Sequence, residues 1–157
     1  MIRLTTKWRH TVTALIHLAH LHHEEKTESL SEIARIQGVS LSYLEQLFAR
    51  LRAAKLVVGT RGPGGGYRLR HAPEDISLAR ILDALEGRQR EERLAALSTP
   101  CRDSRNPAQD QWNAFSRDLY FYLENTTLDQ FVSSNQPDNE QNYTHAANAF
   151  MHAQMQH

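Results

Sequence analysis

The sequence predicts a mainly α-helical fold with one small β-hairpin, followed by a long helix towards the C-terminus. Three observations predict it. Apolar residues recur at helical spacing in short segments between Trp8 and Leu85; two β-type runs around a glycine-rich tip interrupt them at residues 56–69; and an aromatic helical stripe begins at Trp112 after a polar stretch. A chain of 157 residues is long enough for one small buried domain with a helical appendage.

Trp8, Val12, Leu15, Ile16 and Ala19 fall on one face and predict a first helix ending near Leu21, while His10, Thr13, His17 and His20 lie together on another face. Ser29 followed by Glu32 fits a capping box, in which the serine oxygen accepts an orphan backbone N–H and the glutamate reaches back to the serine's own N–H. A second helix is therefore predicted from Leu30, burying Leu30, Ile33 and Ala34 and ending before Gly38. A third helix opens at Ser40 or at Ser42, the latter forming another capping box with Glu45, and Leu44, Leu47, Phe48 and Leu51 point to the core. Two short amphipathic helices joined by a turn with a glycine are what a helix-turn-helix requires.

The third helix leaves Ser42, Tyr43, Glu45, Gln46, Ala49 and Arg50 outside. Short polar and amide side chains at a helix start, with Arg50 and Arg52 behind them, suit the edges of base pairs in a major groove, although on composition alone a solvated face is an equal reading. The next segment shifts that balance. Leu56-Val57-Val58 and Tyr67-Arg68-Leu69 read as strands, and the loop between them carries Arg61, Gly62, Gly64, Gly65 and Gly66, which would let backbone approach a surface closely. The loop lacks the Gly-Lys-Ser/Thr ending of a phosphate-binding loop and leads into a strand, which sets a nucleotide cradle aside. Helix, turn, helix and hairpin together predict a winged helix-turn-helix.

Ser77 caps a predicted fourth helix with Leu78, Ile81, Leu82 and Leu85 inward and Gly87 at its end. Residues 88–111 are polar, with Pro100 and Pro107, and read as a partly helical linker. Trp112, Phe115, Leu119, Tyr122 and Leu123 then form the stripe of a long helix, and Thr127 precedes a short one with Leu128, Phe131 and Val132. Such a helix, cut off from the winged domain, is expected to bury its apolar face against a second copy of the chain. The tail beyond Ser133 is rich in Asn, Gln and His, with an alanine-rich stretch from Thr144 to Met155 that could form a helix.

The net charge is zero, but unevenly spread. Residues 1–71 hold eleven Lys and Arg against five Asp and Glu, and residues 72–157 hold seven against thirteen. A basic front half suits a chain that meets phosphates at one end. Cys101 is the single cysteine, so no internal disulfide is possible and a cytoplasmic location is expected, with no membrane-spanning run. No nucleophile elbow, paired-carboxylate arrangement or metal-hydrolase spacing points to an enzyme. Among the nine histidines, His17 and His20 are one turn apart but lack thiolate or carboxylate company at ligand spacing, so no metal site is expected.

The opening Arg3-Leu4-Thr5-Thr6-Lys7, the run Ser40 to Phe48 with Arg50-Leu51-Arg52, and Arg61 to Tyr67 resemble the Rrf2 family of bacterial winged-helix regulators, in particular its iron–sulfur cluster regulators. The resemblance extends to about Val132. It implies a homodimer, built on the long helix through Trp112, Phe115, Leu119, Tyr122 and Leu123, that binds partly palindromic double-stranded DNA. Base contacts are expected from Ser42, Tyr43, Glu45, Gln46 and Arg61, and phosphate contacts from Thr5, Lys7, Arg50, Arg52, Gly64, Gly65 and Tyr67. The corresponding organisation is a winged domain at 1–87, a linker or sensor loop at 88–111, a dimerisation helix with a short following helix at 112–132, and a polar tail at 133–157.

Cluster-binding relatives carry three cysteines and a histidine before the tryptophan, where this chain has Leu94, Asn106 and Gln109, with Cys101 one place off register. A [2Fe–2S] cluster needs four ligands, mostly thiolates, so no cofactor is expected. The alternatives are redox sensing by Cys101 beside Arg102, a [2Fe–2S] cluster or metal held by mixed ligands such as Cys101 with Asp103 or Asp110 and His10, or a protein-interaction module that has lost DNA binding, against which the wing arginine Arg61 and the polar start of the third helix count.

Overall fold

The computed structural model describes residues 5–98 and 107–133. In chain order these form α1 (Thr6–His22), α2 (Leu30–Gln37), α3 (Leu41–Ala53), β1 (Val57–Thr60), β2 (Gly66–Leu69), a 3-10 turn (Pro73–Asp75), α4 (Leu78–Glu86), α5 (Arg90–Ser98), α6 (Pro107–Asn125) and α7 (Leu128–Ser133). The expected architecture is the observed one, a helical body with one antiparallel hairpin paired Val57 to Leu69 and Thr60 to Gly66.

One core holds the helices together. It takes Leu15 and Leu18 from α1, Ile33 and Ala34 from α2, Leu44, Leu47, Phe48 and Leu51 from α3, and Ile81 and Leu82 from α4. The apolar face of α1 is wider than its periodicity suggests, with Ala14 and Leu18 buried beside the expected Val12, Leu15 and Ala19, and Trp8 and Ile16 only half covered.

The caps show how local chemistry sets the helix limits. Ser29 Oγ accepts from Glu32 N at 3.2 Å, as the capping box requires. The reciprocal half is replaced, because Glu32 pairs with Arg35 one turn along, and Ser29 N donates to Glu28 Oε1 at 2.9 Å instead. Ser40, not Ser42, caps α3, accepting from Tyr43 N at 3.3 Å. Gly38 closes α2 in the left-handed region at φ 66°, which an L side chain adopts only at a cost, and this lets three residues turn the chain into α3.

The segment after α4 departs from expectation. Far from being cut off, α6 packs on α4 and α5, and α7 packs on α1. The junction between α6 and α7 is clipped to the chain before α4, with Leu78 N donating to Thr126 O and Leu128 N to Ile76 O, both at 2.8 Å. Much of the polar stretch after Gly87 is the regular helix α5. Its Arg93, 1 % exposed, donates through Nε to Asp83 Oδ1 and through Nη2 to Glu86 Oε2 at 2.7 Å, while Tyr120 Oη donates to Asp83 Oδ2 at 2.8 Å. Burial penalises the Arg93 cation, but its bonds to Asp83 and Glu86 outweigh that and hold its pKa above the ordinary value. Burial, then the Asp83 carboxylate, push the Tyr120 phenol far above its usual range. A buried charge is tolerated when it is paired and hydrogen-bonded in this way, and here the pairing joins three helices.

Candidate nucleic-acid interface

Helix α3 is in contact with both the start of α1 and the hairpin. On α3, Ser42, Glu45, Gln46 and Arg52 are exposed while Leu44, Leu47, Phe48 and Leu51 are buried, so the helix is anchored on one face and polar on the other. Thr5 and Lys7 are exposed at the start of α1. Lys7, Gln46 and Arg50 share the lining of a small cleft with Tyr43, Leu47 and Leu85, which brings the start of α1 against the middle of α3.

The hairpin is fastened to this platform. Glu28 N donates to Tyr67 O at 2.9 Å and Tyr67 N to Glu28 O at 2.7 Å, an antiparallel bridge that pins the hairpin to the loop before α2. Thr27 Oγ1 donates to Gly64 O at 2.7 Å, tying the tip to the same loop. The Tyr67 ring packs edge-on against Phe48 of α3 with centroids 5.0 Å apart. Gly66 serves this contact: a Cβ there would collide with the Glu28 carbonyl, so the residue allows close approach within the chain itself. Arg61, Gly62 and Gly64 remain exposed at the tip.

The structure places several expected site residues differently. Tyr43 is half-buried, its hydroxyl 3.2 Å from His10 Nδ1 and its ring edge-on to that imidazole, so it braces α3 against α1 instead of standing free beside Ser42. Arg50 donates through Nη1 to the Leu85 carbonyl at the end of α4, a bond that covers the negative end of that helix. Tyr67 is half-buried by its packing on Phe48. Leu123, expected to face a second copy, is 4 % exposed and lies in the chain's own core with Tyr120, because α6 turns that face to α4. Trp112, Phe115 and Tyr122 stay exposed at 44 %, 44 % and 55 %, and Leu119 is half-buried. Cys101, Asp103 and Asn106, and the tail from residue 134 onward, lie outside the described residues.

Sequence reasoning missed the roles of Thr27 and Glu28 as the anchor of the hairpin, and of His10 as the partner of Tyr43. Their bonds run to residues 37, 39 and 33 positions away, which no local periodicity reveals.

An exposed polar helix face beside a tethered, glycine-tipped hairpin is the arrangement of winged-helix regulators, and comparison with known proteins agrees. A sequence model of the Rrf2 family, described as "Iron-dependent Transcriptional regulator", matches residues 4–134. The chain belongs to the Rrf2 family of transcriptional regulators. It is 52% identical over 84 residues to the "Putative HTH-type transcriptional regulator ORF2" of Azotobacter vinelandii, an alignment covering 54% of this chain and 51% of that protein. The chain thus spans about half the length of that relative. It is 38% identical over 133 residues to the "HTH-type transcriptional regulator IscR" of Pectobacterium carotovorum subsp. carotovorum (strain PC1), covering 85% of this chain and 80% of the relative. Among solved structures, CymR (YrzC), the global cysteine regulator of B. subtilis, matches with a TM-score of 0.71 at 33% identity, covering 87% of this chain and 100% of that one. The expected mainly helical, winged fold and the Rrf2 membership both stand.

An iron–sulfur cluster of the kind the sequence resemblance implies would draw on the positions of Leu94, Asn106 and Gln109. Leu94 on α5 is apolar and packs against the core, and Gln109 on α6 donates to Asn113 Oδ1 at 3.2 Å. Neither is a thiolate or an imidazole, so the donor set does not fit that cluster.

Proposed function

We propose that this Rrf2-family chain acts in the cytoplasm as a homodimer that binds partly palindromic duplex DNA and regulates transcription without the usual [2Fe–2S] cluster. The observation that carries the reading is the union of the exposed face of α3 with the hairpin locked to it through Phe48 and Tyr67. Ser42, Glu45 and Gln46 read base edges in the major groove, Arg61 enters the adjacent minor groove, and Thr5, Lys7, Arg52, Gly64 and Gly65 hold the phosphates. Tyr43 and Tyr67 contribute by bracing these elements, and Arg50 by fixing α3 to α4.

The exposed aromatics of α6, with Trp112 and Phe115 rings 5.5 Å apart and Tyr122 further along the helix, support dimerisation through this helix. Two copies related by a twofold axis would present two α3 helices to two half-sites. No helix among the described residues is long and apolar enough to cross a membrane. The fold's regulator relatives and the absence of an enzyme motif in the sequence favour a binding role over catalysis.

Fluorescence anisotropy with genomic promoter fragments, titrated over a range of salt, tests the reading. Specific binding is expected to exceed binding to random duplex by about a thousandfold or more, with affinity falling steeply as salt rises. Equal affinity for all sequences, or affinity indifferent to salt, would refute it.

A further inference from the structure

A second cleft, away from the exposed start of α3, has no place in the DNA-binding scheme. It is an open groove of about 570 Å³ where the C-terminal ends of α3 and α4 meet the start of α5, within the size range of small-molecule sites. Four arginines line it, Arg50, Arg80, Arg88 and Arg90, with Asp83 the one carboxylate in the lining. Asp83 does not neutralise them, because its two oxygens are taken by Arg93 and Tyr120. Arg90 pairs with Glu124 of α6. Arg50 and Arg80 donate to the backbone carbonyls of Leu85 and Asp75, which leaves their charges uncompensated, and no carboxylate among the described residues pairs with Arg88. The carbonyl end of α4, which would repel an anion, is covered by Arg50, while the N-terminal residues of α5, Gln89 and Arg90, face the cleft. Between the cations lies a small apolar surface from Ala53, Ala54 and Ala84.

Four arginines in one lining, of which only Arg90 has a carboxylate partner, make the cleft electropositive and favour a multiply charged anion, and a guanidinium's forked donors match phosphate oxygens in pairs. We propose that this cleft binds a small molecule carrying a diphosphate or a comparable pair of phosphate groups, its organic part resting on the alanine surface. Because Arg50 belongs to α3, an occupant competes with the Leu85 carbonyl for that side chain and so changes how α3 is held. This regulatory consequence rests on the DNA-binding reading; ligand binding itself does not, and is measured without DNA.

Titration calorimetry of the full chain with inorganic pyrophosphate at physiological ionic strength is expected to show one saturable site per chain. Arg80→Gln with Arg88→Gln should weaken it about tenfold or more, as expected for lost hydrogen bonds to a charged group. Arg61→Gln with Arg68→Gln, which removes the same charge from the hairpin, should leave it unchanged. Arg88→Gln alone removes no internal hydrogen bond, so it keeps the test decisive if the double variant fails to fold. Pyrophosphate should also raise the melting temperature of the wild type and not of the Arg80/Arg88 variant. No saturable binding by the wild type, or equal loss in both double variants, overturns the proposal. So does a cleft variant that keeps pyrophosphate affinity but binds random duplex more weakly with a shallower salt dependence, since the phosphates would then be those of DNA.

Discussion

Gln46 stands exposed midway along α3, nearly two turns after the Ser40 cap and next to the buried Leu47, and it shares a cleft with Lys7. An amide at that position pairs with a base edge through one donor and one acceptor, and such a contact discriminates by about 1–3 kcal/mol. Gln46→Ala is therefore expected to flatten preference at one base position of each half-site while leaving affinity for random duplex nearly intact. A panel of single-base operator variants measures this, and an unchanged preference would remove Gln46 from the reading. The neighbouring Tyr43 shows the limit of sequence reasoning at this scale. Helical spacing correctly separates it from the core positions, but the hydroxyl that binds His10 comes from packing α3 against α1, which spacing does not encode.

At the scale of elements, the helix-turn-helix and hairpin were legible because their signals are local: serine caps three residues before the amides they accept from, glycines at helix ends, and apolar residues at fixed periods. Helix α5 was not. Among its described side chains the fully buried one is an arginine, so its sequence reads as solvated and that burial is explained by Asp83, Glu86 and Tyr120. Arg93→Ala would leave Asp83 and Glu86 without their cation, at a cost of about 3–5 kcal/mol for breaking a buried pair. Urea unfolding should show that loss. Arg35→Ala, which breaks an exposed pair with Glu32 on α2, should cost far less. Comparable effects from the two would mean that the network is not the clamp described. The stripe of α6 was likewise half read: its spacing identifies an amphipathic helix, but a helix with two covered faces has two candidate stripes, and only packing assigns Tyr120 and Leu123 to the inside.

For the whole molecule, the same helix has one face buried in its own chain and leaves other aromatics exposed. Tyr120 and Leu123 hold it to its own chain, while Trp112, Phe115, Phe121 and Tyr122 remain open to a second one. If the proposed dimer forms through α6, Phe115→Glu with Tyr122→Glu is expected to give a monomer in sedimentation equilibrium and to reduce operator affinity by orders of magnitude, with helical content retained. A variant still dimeric would place the interface elsewhere. The paired backbone bonds that join Leu78 to Thr126 and Leu128 to Ile76 have a kinetic consequence of their own. They close a loop between segments about fifty residues apart in sequence, whereas α2, α3 and the hairpin make contacts nearer along the chain. Loop closure of that length is an entropic cost met late, so the folding nucleus should form in the helix-turn-helix before α6 and α7 dock. Leu128→Ala, at a fully buried position, is then expected to speed unfolding while barely slowing folding, a low φ-value readable from the two arms of a chevron plot.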